Sequence, residues 1–211
     1  MDRDTISLPD FCKSLLASIH VDLEDDKIEL LIKYTHLVNQ WNQHHNLTSV
    51  RNPHGIMHRH IFDSLTILPY LMDANRIVDL GSGAGFPGIP LAIIRPSMKV
   101  ALLDCHQKKI SFLRHVLSEL GVKNAGVVGM RAEEYHPEKP FDTLVSRAFS
   151  SIDNILSLAP NMVEKSGQVI IMKGVYPSSE LVNIIHDYDV HPVHAYENKS
   201  RHVVVVSMDQ S

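Results

Sequence analysis

The sequence predicts an α/β fold: a doubly wound, mostly parallel sheet that ends in an antiparallel hairpin, preceded by an N-terminal helical extension. Three observations predict it. From residue 76 onward, short β-branched runs alternate with helical periodicity. A glycine-rich turn joins the first run to the first helix after it. The last two apolar runs have no helix between them, so they are expected to pair antiparallel.

Taken in order, Leu8, Phe11, Leu15, Leu16 and Ile19 recur at helical spacing and predict a short amphipathic helix. Asp22 is expected to cap the next helix, with Glu24, Asp25 and Asp26 in the first turn where the dipole favours negative charge. Its apolar face, Ile28, Leu31, Ile32, Val38 and Trp41, extends to about residue 42. A polar segment, Asn42 to Gly55, leads to an amphipathic stretch with Ile56, Ile61, Leu65, Ile67 and Leu68 that ends near Pro69. Residues 1–70 are therefore expected as the extension and 71–211 as the sheet domain. Within the latter, strands are expected at 76–80, 99–104, 126–129, 141–146, 168–172, 189–196 and 202–208. Helices are expected near 89–94, 107–120, 152–158 and 179–186.

With 211 residues, 44% hydrophobic and 21% charged, the chain suits one α/β domain with an appendage and excludes wholesale disorder. No apolar run approaches the ~20 residues of a membrane helix, and the polar start, Met1-Asp2-Arg3-Asp4, gives no secretory signal. Cys12 and Cys105 supply neither a disulfide framework nor a zinc spacing. A cytoplasmic protein with no membrane partner is the expectation. The net charge of −4 argues at first against nucleic acid, but distribution outweighs the sum. Between Glu29 and Asp63 there is no carboxylate, while Lys33, Arg51, Arg59 and six histidines lie there. Cys105 to Ser118 is also free of acids and carries Lys108, Lys109 and Arg114; Lys165 to Ser179 carries Lys165 and Lys173. One basic face on an acidic molecule is compatible with this pattern, as are solvated loops that lack acids.

The most informative string is Asp79-Leu80-Gly81-Ser82-Gly83-Ala84-Gly85-Phe86-Pro87-Gly88, between a strand and a helix. Glycines at alternate positions let backbone approach a ligand at the carboxyl edge of the sheet. The spacing is GxGxG, not the GxGxxG of dinucleotide sites, and Pro87 removes an amide donor at the helix start. A ligand without phosphate fits better. Asp104, 25 positions after Asp79, ends the second strand where a carboxylate can take both hydroxyls of a ribose. Gly81, Gly83 and Asp104 together give the pattern of class I methyltransferases that use S-adenosylmethionine. Arg131-Ala132-Glu133 then follows the third strand, where that fold faces adenine, and Ser146-Arg147-Ala148 ends the fourth beside the reacting methyl. Arg147 can equally be read as a salt-bridge partner of Asp79 or Asp104.

Further strings carry a closer likeness. Trp41-Asn42, Asn46-Leu47-Thr48-Ser49-Val50-Arg51 and Arg59-His60-Ile61-Phe62-Asp63-Ser64-Leu65 resemble the bacterial ribosomal RNA small subunit methyltransferase G family, formerly glucose-inhibited division protein B. So do the glycine string through Leu91, Lys108 and Lys109 before Phe112-Leu113, Ser146-Arg147-Ala148, and Lys173-Gly174. The likeness spans roughly residues 30–175 in order. It implies methylation of N7 of one guanine in 16S ribosomal RNA of the 30S subunit, with S-adenosylmethionine as donor. It also implies that Gly81, Phe86, Ala132, Glu133 and Arg147 contact the donor. Many relatives carry an aliphatic residue where Phe86 stands.

Guanine N7 presents an unprotonated lone pair, so its attack on a sulfonium methyl needs alignment and no general base. The sequence agrees: it lacks the Asn/Asp-Pro-Pro-Tyr/Phe string of amine methylation and the Pro-Cys of C5 chemistry, and Cys105 is expected on the wrong side of the cofactor. No residue is assigned as acid or base. Substrate-holding candidates are Asn46, Arg51, Arg59, His60, Lys108, Lys109 and Lys173. Trp41 is expected in core packing, and Asp63 is expected to pair with Arg59 or a helix end. His44-His45, His54, His58 and His60 lack flanking acids or cysteines, so no metal is expected, and a monomer is expected. The alternatives are an NAD-type oxidoreductase and a non-catalytic RNA-binding or ribosome-assembly factor.

Overall fold

Seven strands form one sheet in the order β3-β2-β1-β4-β5-β7-β6. They are β1 (Arg76–Leu80), β2 (Lys99–Leu103), β3 (Ala125–Val128), β4 (Phe141–Arg147), β5 (Val163–Lys173), β6 (Tyr188–Val193) and β7 (Arg201–Ser207). The first five run parallel; β7 lies antiparallel to both β5 and β6, as the helix-free ending predicts. This computed structural model describes residues 6–71, 74–182, 184–193 and 201–209. The expected strand positions 194–196 and helix position 183 lie outside them.

Eight α-helices accompany the sheet among the described residues: α1 (Leu8–Ser18), α2 (Asp25–His45), α3 (Pro53–Ile56), α4 (Asp63–Leu65), α5 (Gly88–Ile94), α6 (Gln107–Leu120), α7 (Ile152–Leu158) and α8 (Ser178–Leu181). No helix among these residues is long and apolar enough to cross a membrane. Strand β1 joins β2 on one side and β4 on the other, with Leu80 opposite Leu103 and Ser146. The strand order reverses there, and the carboxyl ends of β1 and β4 open a crevice. Apolar faces of α1 and α2 share one core with the sheet: Leu8, Leu31, Tyr34 and Val38 belong to the same cluster as Ile77, Leu102 and Val145. Trp41 packs α2 onto α6, its ring 5.3 Å from both Phe112 and His115. Its packing is that of a core side chain.

Several local expectations need correction. Glu24, not Asp22, occupies the cap of α2 and makes no side-chain cap bond. The Val21 N–H closes back on the Leu16 carbonyl, and Val21 and Leu23 pack on the core, which holds the chain out of helix until residue 24. Helix α2 also runs past residue 42 to His45, ending on Asn46 in left-handed conformation (φ 49°). The last helix stops at Leu181 instead of His186; Val182 and Ile185 are largely exposed, so no packing extends it. Between α3 and α4, Met57–Phe62 form a π-helical turn that no periodicity signals.

Candidate functional site

The glycine turn is fixed from below, behind and beside. The N–H groups of Gly81 and Ser82 donate to the Leu103 carbonyl at 2.9 and 3.0 Å, which ties the turn to the end of β2. Behind it, the buried Asp79 carboxylate accepts from the Gly88 N–H at 2.9 Å and so anchors the start of α5. Pro87 sits at the cap of that helix, so the missing donor is outside the helix and Gly88 supplies the first amide. Burial pushes the Asp79 carboxyl up to about 7, which the Gly88 amide only partly offsets. Its other oxygen is buried without a hydrogen-bond partner. Beside the turn, the Tyr34 hydroxyl of α2 donates to the Ala84 carbonyl at 2.5 Å. Burial holds this phenol well above its ordinary range, so it stays a donor.

Two glycines have different work. Gly83 (φ 61°) has nothing but the Gly81 carbonyl within 4 Å of where a Cβ would stand, so its face is open to a ligand. Gly85 (φ 92°) faces inward: a Cβ there would lie 2.4 Å from Ile89 and 2.9 Å from the Tyr34 hydroxyl. The third glycine of the motif therefore serves packing of the helical extension, not ligand approach.

Asp104 follows β2 and turns toward the same bend. One carboxylate oxygen accepts from the Gly83 N–H at 3.0 Å and lies 3.6 Å from the Lys109 ammonium. The other pairs with the His106 N–H at 2.9 Å and the ring Nδ1 at 2.8 Å. Burial pushes this carboxyl up, but the bonds from His106, Lys109 and Gly83 outweigh it and hold the group below its ordinary value. It remains an ionised acceptor.

A cavity of about 410 Å³ opens over this bend, lined by Gly81, Ser82, Gly83, Ala84 and Phe86 on one side and by Leu47 to Val50, Arg59 and His60 on the other. Asp63, Lys109, Arg147, Ala148 and Arg201 complete it. The wall at 47–50 is built by Asn42, whose side chain donates to the Val50 carbonyl and accepts from the Thr48 N–H. Arg51 reinforces the loop through the Asn42 carbonyl and the Asn46 side chain, each at 2.9 Å. Asn46 and Arg51 thus brace the wall and do not line the cavity. The π-helical turn projects Arg59 and His60 into it. His60 bonds Thr48 at 2.5 Å and stacks on Phe86 at 4.8 Å. Burial foremost, then the Arg147 charge, push this imidazole down to about 3, so it is neutral near pH 7.

Arg147 does not pair with Asp79 or Asp104, and Asp63 does not pair with Arg59 as its ion-pair partner. Asp63, only 7% exposed, holds Arg147 at 3.2 Å and Arg201 at 3.5 Å. Neither acid of the glycine turn pairs with Arg147: Asp79 is fully buried with one oxygen on the Gly88 N–H, and Asp104 is held by His106 and Lys109. The Arg147 guanidinium also lies 5.0 Å from the centre of the Phe86 ring. Ala132 is buried in the apolar cluster that contains Leu80 and Leu103, while Glu133 is exposed on the turn after β3. Lys108 is exposed and outside the cavity. Lys173 is also outside it, bound to Glu180 at 2.7 Å and to the Ser150 carbonyl at 3.3 Å. Tyr34 and Arg201 are not among the sequence-based candidates. Tyr34 was findable: it falls three after Leu31 and four before Val38, a polar-tipped aromatic on the apolar stripe. Arg201 had no local signal, because only the sheet order brings β7 to Asp63.

A Gly-rich bend after β1, an acid after β2 and a sheet closed by an antiparallel strand define the class I methyltransferase fold. Solved structures agree with that fold: an S-adenosylmethionine-dependent methyltransferase from Aquifex aeolicus (TM-score 0.55, 17% identity, 69% of this chain and 89% of that one) and precorrin-6y C5,15-methyltransferase from Geobacter metallireducens (TM-score 0.54, 16% identity, 69% and 87%). The GidB family model, rRNA small subunit methyltransferase G, matches residues 27–204. The ribosomal RNA small subunit methyltransferase G of Chromobacterium violaceum is 44% identical over 169 residues, covering 80% of this chain and 81% of that protein. The protein of the same name from Idiomarina loihiensis is 38% identical over 199 residues, 92% of this chain and 96% of its own. This chain belongs to the rRNA small subunit methyltransferase G family.

Proposed function

We propose that the protein transfers a methyl group from S-adenosylmethionine to N7 of a guanine in 16S ribosomal RNA, in the cytoplasm. The observation that carries this reading is an open Gly83 face in a cavity lined by three arginines, with the ionised Asp104 bonded to the Gly83 N–H outside that lining. The residues fit such a donor. Asp104 presents an anionic acceptor suited to sugar hydroxyls. Gly81, Gly83, Phe86 and Arg147 in the lining, with Asp104 behind the bend, would hold the donor; Ala132 and Glu133, on the turn after β3 outside the lining, are assigned to it by the family resemblance. When bound, S-adenosylmethionine supplies an electrophilic methyl on a sulfonium.

The chain's own residues then have three tasks. The bend from Gly81 to Phe86 is locked by Asp104, Leu103 and Tyr34 and would hold the donor in one orientation; rigidity here is the catalytic contribution. Arg59, Lys109 and Arg201 draw RNA phosphates to the mouth of the cavity, with Lys108 on the adjoining exposed turn of α6. His60, held neutral, adds a flat imidazole stacked on Phe86 and no positive charge beside the purine. N7 needs no deprotonation, so no residue is assigned as a general base.

The test is mass mapping of 16S rRNA from cells with and without the protein. One guanine carrying an added 14 Da at N7 only when the protein is present supports the reading; unchanged 16S rRNA contradicts it.

A further inference from the structure

Asp104, Cys105 and His106 bring three metal-ligating atoms within 4.8 Å of one another, the one such group among the described residues. The sequence expects no metal and places Cys105 on the wrong side of the cofactor; this grouping gives Cys105 two ligating neighbours. Cys105 and His106 are exposed at the start of α6, while Asp104 is buried. The Cys105 Sγ lies 3.7 Å from the His106 Nδ1. Tetrahedral zinc, with bonds of about 2.3 Å to sulfur and about 2.1 Å to nitrogen, places those two atoms about 3.6 Å apart. The Asp104 Oδ1 to His106 Nδ1 distance of 2.8 Å would open to about 3.4 Å, which the largely exposed His106 side chain permits. Oδ2 of Asp104 is occupied by the Gly83 N–H and faced by Lys109, so a cation would take Oδ1, replacing its bond to the His106 ring and keeping the bond from the His106 N–H.

We propose that Asp104, Cys105 and His106 form a binding site for a thiophilic divalent cation of the zinc class, and that its occupancy opposes binding of the methyl donor. On binding, the Cys105 thiol loses its proton to solvent and His106 presents Nδ1 as its lone pair, carrying its proton on Nε2. Among the described residues no fourth ligating side chain joins the group, so water would fill the fourth position. The opposition arises at Asp104: the carboxylate that chelates the cation is the one assigned to the donor's sugar, and this part rests on the function proposed above. The chemistry makes the protein sensitive to free zinc and to oxidation of Cys105, whose thiolate is a ligand.

Cobalt titration of metal-free protein tests the site by itself. A thiolate-to-Co²⁺ charge-transfer band should saturate at one ion per chain, be bleached by Zn²⁺, and disappear in Cys105→Ser. Cys105 is exposed, so that variant keeps its fold; His106→Ala provides a second variant and should weaken the band. Absence of the band, or an undiminished band in Cys105→Ser, overturns the site. Calorimetry with S-adenosylmethionine then tests the opposition. With free Zn²⁺ at ten times its own Kd, the donor's apparent Kd should rise about elevenfold, and should not move in Cys105→Ser. An unchanged Kd in the unsubstituted protein overturns the opposition. Failure of S-adenosylmethionine to bind metal-free protein would instead refute the donor reading, and the cobalt band would be unaffected.

Discussion

Tyr34 is a single side chain that connects the helical extension to the chemistry. Its hydroxyl is the lateral support of the glycine bend, and its ring packs 5.4 Å from Phe86. Tyr34→Phe removes the donor and leaves the Ala84 carbonyl buried without it, so unfolding free energy should fall by about 1–3 kcal/mol, read by urea denaturation. Weaker binding of S-adenosylmethionine should accompany it. His60 gives a pH signature. Its folded pKa lies near 3 against an ordinary 6.5, so the unfolded chain takes up the proton first. Stability attached to this group is full above pH 6.5 and is lost as pH falls toward 3. Urea denaturation at pH 7.5, 6 and 5 should show His60→Phe losing less stability over that interval than the unsubstituted protein. Equal losses would mean that the imidazole is not held neutral by burial. Asp104 was legible from sequence because an acid ending a second strand has a simple positional meaning. Tyr34 was less so, since an aromatic on an apolar stripe signals core first and contact second.

At the scale of elements, helix α4, which continues from the π-helical turn, and strand β7 meet through Asp63. Its carboxylate restrains Arg147 at the end of β4 and Arg201 at the start of β7, so one acid joins the extension to both sides of the cavity. Asp63→Asn should cost about 2–3 kcal/mol in thermal or urea unfolding, below the about 3–5 kcal/mol of a fully enclosed pair because Arg201 reaches solvent. Regular elements of the sheet domain were readable almost to the residue: β1 and helices α6 and α7 have the bounds their periodicity gives. Elements whose ends depend on distant partners were not. Asp22 looks like a cap, but the packing of Val21 and Leu23 decides where α2 begins. The π turn is invisible in sequence because helical spacing of apolar residues tolerates one inserted position, and tertiary contacts choose between the two windings.

For the whole molecule, a net charge of −4 coexists with a cavity rimmed by Arg59, Lys109, Arg147 and Arg201. Acid-free windows forecast the first two, and the fold added Arg201 from the far end of the chain. Windows alone misplaced Lys173, which neutralises Glu180 instead, because charge pattern along a chain says nothing of the partner across a loop. Affinity for 16S rRNA should fall linearly in log–log plots against salt, and Arg201→Ala should reduce the slope by about 1 if it meets one phosphate. An unchanged slope would place the RNA elsewhere. The central claim is that the bend at Gly81–Phe86, with Asp104, holds S-adenosylmethionine. Isothermal calorimetry on the unsubstituted protein and on Asp104→Asn tests it most directly. The expected result is one S-adenosylmethionine per chain, no heat with NAD, and at least tenfold weaker donor binding in the variant; equal binding in both proteins, or preference for NAD, would contradict it.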